Sequence, residues 1–202
     1  MSPSEPSFGV LFVCTANHCR SPIAEHLLRR ELASRDLDWS VASAGTRAEE
    51  DRPMHPSAVR VLARRGIEVG DWSAHRVDSE TVLRADLVLT AGEEHRAAVA
   101  RLAPSAMART FTLLQFAHLT GALPMAEGLT QQEFGPALLD HAVRMRGSAQ
   151  PLARDLREIP DPMGHSFSRF SKCAAIIEQA LVSILSGSPS TTQNGAPRAD
   201  QD

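Results

Sequence analysis

Cys14 and Arg20 are separated by five residues in the stretch VLFVCTANHCRSP, Val10 to Pro22, where an apolar run meets a helical pattern. The chemistry open to them is that of an anion trap with a nucleophile at its base. Thr15, Ala16, Asn17 and His18 make a loop of small and polar residues, Cys19 follows, and Ser21 and Pro22 suit the N-cap and first position of a helix. Backbone amides of such a loop, with the unpaired ones at the helix start, converge on one point and favour negative charge there. The same field favours a thiolate, which makes Cys14 a candidate nucleophile. The planar fork of Arg20 can hold two oxygens of a phosphate at once.

A phosphate-binding loop that cleaves an ester needs an acid to protonate the leaving oxygen. Asp161, in IPDPMGHS from Ile159 to Ser166, is the best candidate. Pro160 and Pro162 restrict the backbone on either side to extended or turn geometry and can hold the carboxyl over the loop. Taken alone, the stretch reads more readily as an ordinary Asp-Pro surface turn.

The elements that must position these residues follow from hydrophobic period. A strand from Phe8 to Val13 leads into Cys14, and a helix from about Pro22 to Ser34 carries Ile23, Leu27, Leu28 and Leu32 on one face. Trp39 to Ala44 reads as a second strand ended by Gly45 and Thr46, so the first crossover has βαβ character and favours a parallel, right-handed pair. A helix from Pro56 to Arg65, a strand from Leu87 to Ala91, a helix from Glu93 to Leu102 and a strand from Arg109 to Leu113 continue the alternation. Leu114 to Ala122 and Thr130 to Arg144 have helical character, and Gly121 to Glu158 reads as an elaboration of the domain. Ser168 to Leu185 is an amphipathic helix with Cys173, Ile176, Ile177, Ala180, Leu181 and Ile184 inward. The expected fold is α/β, an open doubly wound sheet of about four parallel strands with helices on both faces. Residues 8–186 form one domain, and the polar ends, 1–7 and 187–202, are expected to be disordered.

Composition sets limits. The 202 residues, 43% of them hydrophobic, suffice for one packed core. A net charge of -3 announces no polyanion-binding surface, so no nucleic-acid partner is expected. Three cysteines do not describe a disulfide-stapled secreted domain, MSPSEPS has no signal-peptide pattern, and no window approaches a membrane span. A reduced, cytoplasmic protein without membrane partners is the simplest reading. No histidine pair has helical metal-ligand spacing, so neither a metal nor a cofactor is expected.

Cys14, Asn17, Cys19, Arg20, Ser21 and Pro22 together resemble the signature loop of the low-molecular-weight protein-tyrosine phosphatases, including its place near the N-terminus. The resemblance implies a phosphomonoester hydrolase acting on a phosphorylated protein or a small aryl phosphate through a phosphocysteine. Cys14 would attack phosphorus, Arg20 and the loop Thr15 to Ser21 would hold the oxygens, and Asp161, in the family's late Asp-Pro pair, would be the acid. It also implies Ser43 in SAGT and His75 in SAHR as supports that reach the loop through Asn17. Where the family commonly carries aromatic residues after the Asp-Pro pair, this chain has Met163 and Gly164, and it contains no tyrosine. Met163 is then the expected substrate contact, softer than a ring. Cys19 beside an oxidisable Cys14 suggests redox sensitivity through a disulfide, and equally fits a small residue filling space beneath the loop. Two other readings fit the loop: a thiol-dependent arsenate reductase on the same scaffold, with Cys173 as the further cysteine, and a phosphate-binding module without catalysis.

Overall fold

Phe8–Cys14, β1, is seven residues with six of them buried, as a central parallel strand covered on both faces must be. In the computed structural model, which describes residues 7–121, 128–150 and 152–189, β1 pairs in parallel with Trp39–Gly45 (β2) on one side and Leu87–Thr90 (β3) on the other. Thr110–Thr112 (β4) pairs in parallel with β3, giving the order β2-β1-β3-β4. This is the expected doubly wound sheet. Expectations for residues 1–6 and 190–202, and for 122–127 and 151 within the elaboration, lie outside the described residues.

Alternate residues of β1 divide between two cores. Val10, Phe12 and Cys14 face the larger one, shared by helices α1 (Arg20–Arg35), α2 (Pro56–Ala63), α5 (Leu113–Thr120), α6 (Gln131–Met145) and α7 (Phe167–Leu185). Leu11 and Val13 face the smaller, closed by α3 (Ser79–Arg84) and α4 (Glu93–Leu102) with Val82 and Val99. The segment read as an elaboration contributes directly to the larger core. α6, opened by a capping box between Thr130 and Glu133, stacks Phe134 on Trp39, and Gly135 lets the helix pass against the Phe8 ring.

Two local differences from the sequence reading matter. α3, a six-residue helix, carries too few residues for a visible period. α1 begins at Arg20 with Cys19 in the N-cap position, so Ser21 is not the cap and Pro22 is not the first helical residue. The reason is packing: Arg20, Ser21, Pro22 and Ile23 are all buried, and the Ser21 hydroxyl is committed to neighbours across the loop. Among the described residues no side chain caps the helix start, which leaves its first amides open to a ligand in the loop.

Candidate active site

Loop 15–19 curls at the carboxyl end of β1, where ligands of open parallel sheets bind. Its shape rests on Asn17, which is fully buried and holds a left-handed backbone at φ 54°. Few residues other than glycine tolerate that region, and asparagine is one of them. Its side chain is fully used. Nδ2 donates to Ser21 Oγ at 2.9 Å and to Ser43 Oγ at 2.8 Å, and Oδ1 accepts from the backbone N–H of His75 at 2.9 Å. Ser43 thus meets the loop asparagine through its side chain. His75 acts through its main chain only; its ring is exposed, 3.4 Å from Glu50.

Ser43 Oγ donates in turn to Glu25 Oε2 at 2.6 Å, and Trp72 Nε1 donates to the same oxygen at 3.2 Å. Glu25, buried on α1 and paired with Arg29, and Trp72 escaped the sequence reading. The available signal was an acid among Ile23, Leu27 and Leu28 on a helix that buries its face.

The end of β2 clamps the loop through its backbone. Thr46 N–H donates to Cys14 O at 2.9 Å and Arg47 N–H to Thr15 O at 2.8 Å. Gly45 makes this possible, because a Cβ there would lie 2.7 Å from both Asn17 N and Thr15 O.

Cys14 is buried at the base of the loop, its Sγ 3.0 Å from Ser21 Oγ. Arg20, also buried, extends Nη2 to Thr15 Oγ1 at 3.1 Å and to Asp161 Oδ2 at 2.6 Å. Asp161 is held by its own segment: Ile159 N–H donates to Ala91 O at the end of β3, and Met163 N–H donates to Asp161 Oδ1 at 3.1 Å. The Asp-Pro turn of the sequence reading is thus the device that carries the carboxyl to the loop.

Met163 is 45% exposed at the rim, with its Sδ 3.2 Å from Cys19 Sγ. Burial, followed by the nearness of Cys14, pushes the Cys19 thiol well above its ordinary range. The His18 ring is buried with neither nitrogen hydrogen-bonded, and burial followed by Arg52 holds it below the ordinary histidine value. His95 was not foreseen. Its Nε2 meets Thr15 Oγ1 at 2.9 Å, and burial, then the charge of Arg20, lowers its pKa. Ala16 completes the loop, half-buried.

Residues 9–133 match the family model of the low molecular weight phosphotyrosine protein phosphatases. The chain belongs to this family. A probable low-molecular-weight protein-tyrosine-phosphatase, EpsP of Ralstonia nicotianae, is 33% identical over 134 residues, 66% of this chain and 90% of that protein. The crystal structure of the low molecular weight protein tyrosine phosphatase from T. tengcongensis superposes with a TM-score of 0.67 at 26% identity, covering 89% of this chain and 98% of that one. An arsenate reductase of Brevibacillus brevis is 36% identical over a shorter span, 81 residues, 40% of this chain and 56% of that protein. Membership of the family makes the chain a cysteine-dependent phosphatase. Asp161 lies beyond the matched stretch of the family model. No helix among the described residues is long and apolar enough to cross a membrane.

Proposed function

We propose that the chain hydrolyses phosphotyrosine in proteins, and small aryl phosphates, with Cys14, Arg20 and Asp161 as the reacting groups. The observation that carries this reading is the convergence of the three on one loop mouth: a buried sulfur at its base, a guanidinium along its side, and a carboxyl in contact with that guanidinium. Cys14 Sγ attacks phosphorus, forming the S–P bond as the P–O bond to the leaving group breaks. Ser21 Oγ, already 3.0 Å from the sulfur, can donate to the thiolate. Arg20 and the amides of Thr15, Ala16, Asn17, His18 and Cys19 take the equatorial oxygens, whose charge spreads in the transition state. Asp161 gives its proton to the leaving oxygen and then accepts one from the water that releases phosphate. Met163 borders the entrance in place of a ring. Three free, buried thiols suit a reducing, cytoplasmic setting.

Arsenate reduction ranks second. Its thiol relay needs a third reactive cysteine, and Cys173 sits in α7 facing the core, its thiol pushed up to about 12 chiefly by burial. The test pairs aryl phosphate hydrolysis with arsenate reduction by reduced thioredoxin. Hydrolysis by the wild type, lost in Cys14→Ser while phosphate still binds, supports the reading, because an alcohol stays protonated where a thiolate forms. Arsenate turnover without hydrolysis sinks it.

A further inference from the structure

Thr15 belongs to the phosphate loop and also to a neighbouring depression of about 230 Å³. Thr15, Thr46 and Arg47 border this depression from the sheet end, and Glu94, His95 and Arg101 from α4. Both borders are fixed. Arg47 lies in a turn with Thr46, its own amide bonded to the carbonyl of Thr15 and that of Thr46 to the carbonyl of Cys14. Glu94, Ala98 and Arg101 stand at helical spacing on one face of α4, and the small Ala98 leaves the floor open.

The charges there are unbalanced. Arg47 and Arg101 are exposed, and among the described residues neither forms an ion pair. Among the described residues Glu94 is the single carboxylate in the lining, 3.2 Å from the Nε2 of His95. Two guanidiniums against one carboxylate leave a positive depression on a chain whose net charge is -3. A small aryl phosphate that fills the loop has nothing left to put there. A polypeptide does: an extended chain advances roughly 3.3–3.6 Å per residue, so residues flanking a phosphorylated one held over Cys14 can reach a groove that shares Thr15 with the loop.

We infer that this groove is a subsite for acidic side chains flanking the phosphorylated residue of a protein substrate. The inference rests on the phosphatase reading above and names the kind of protein that reading leaves open. Rim charges of this exposure act mainly on encounter and KM and are screened by salt.

The experiment compares three substrates of the full chain: p-nitrophenyl phosphate, a phosphotyrosine peptide with aspartates on both sides, and the same peptide with asparagines. The aspartate peptide is expected to have the lower KM, by roughly two- to fivefold for each arginine engaged, with the advantage shrinking at high ionic strength. Arg47→Glu and Arg101→Glu should each remove most of that advantage, and Glu94→Gln should enlarge it. Arg101→Glu should leave kcat/KM for p-nitrophenyl phosphate within about twofold of wild type, because its side chain lies on the groove border and outside the loop. Equal KM values for the two peptides with wild type overturn the subsite, as does a uniform loss on all three substrates in Arg101→Glu. Failure of the wild type to hydrolyse p-nitrophenyl phosphate would instead overturn the phosphatase reading, and the subsite with it.

Discussion

Arg20 Nη2 and Asp161 Oδ2 lie 2.6 Å apart although their residues are 141 positions apart in the chain. One begins α1 and the other precedes α7, so the contact closes the site across the sheet end. Asp161 is half exposed, its side chain at 47%, whereas that of Arg20 is at 9%. The carboxyl is therefore open to solvent, while the guanidinium is enclosed beside the loop.

Asp161→Ala should slow aryl phosphates with poor leaving groups by roughly 10²- to 10⁴-fold and those with good leaving groups far less. A series of substituted phenyl phosphates measures the difference. An equal loss across the series would make Asp161 a structural partner of Arg20 only.

Gly45→Ala places a methyl 2.7 Å from two backbone atoms of the loop, neither of which can yield like the end of a side chain. Overpacking of this kind costs about 1–3 kcal/mol, and a displaced loop costs turnover as well. The expected variant folds with a lowered Tm and has aryl phosphatase activity reduced by about tenfold or more. Wild-type kinetics would show that β2 does not brace the loop.

Oxidation of Cys14 by peroxide to a sulfenic acid leaves a group that Cys19 can capture as a disulfide, releasing water. Because burial holds the Cys19 thiol protonated, its thiolate fraction grows as pH rises, and capture should grow with it. Activity recovered by dithiothreitol after a fixed peroxide dose is expected to increase between pH 7 and roughly pH 9 in wild type and to stay low in Cys19→Ser. Equal recovery in the two proteins removes Cys19 from the scheme and leaves it as packing beneath Met163.

Glu178 ties three helices together, its α7 carboxylate meeting Arg30 of α1 at 2.8 Å and Arg65 after α2 at 3.0 Å. Burial acts to raise its pKa, but the hydrogen bonds from Arg30 and Arg65 outweigh it and the net shift is downward. A depressed folded-state carboxyl stabilises above the unfolded value of about 4.3 and loses that contribution as pH falls through the folded value. Glu178→Gln should thus lower Tm at pH 7 by about 2–4 °C, corresponding to roughly 1 kcal/mol, and lose less of its remaining stability on acidification than wild type. Identical acid limbs by thermal denaturation would contradict this.

Local signals were enough for the sheet and for half of the site. The apolar run before Cys14, the alternation of strands and helices, and the spacing of Cys14 and Arg20 are properties of contiguous residues, and period and motif report such properties directly. The start of α1 was misplaced for a reason equally local in origin. Ser21 has the chemistry of a cap, but burial of the first turn gave its hydroxyl to Cys14, Asn17 and Ala44 instead. Most of what braces the loop comes from segments that meet it only in the folded chain. Glu25 and Trp72 meet behind Ser43, His75 offers Asn17 an amide while its ring points away, and His95 reaches Thr15 from α4. None of these has a spacing to find, because a parallel sheet gathers the carboxyl ends of strands that are far apart in the chain. Contiguous residues were enough to single out Cys14, Arg20 and the kind of fold that holds them. The contact of Asp161 with Arg20, the place of α6 in the core, and the position beside the loop of two arginines that form no ion pair among the described residues came from packing alone, since each depends on which distant surfaces the sheet brings together.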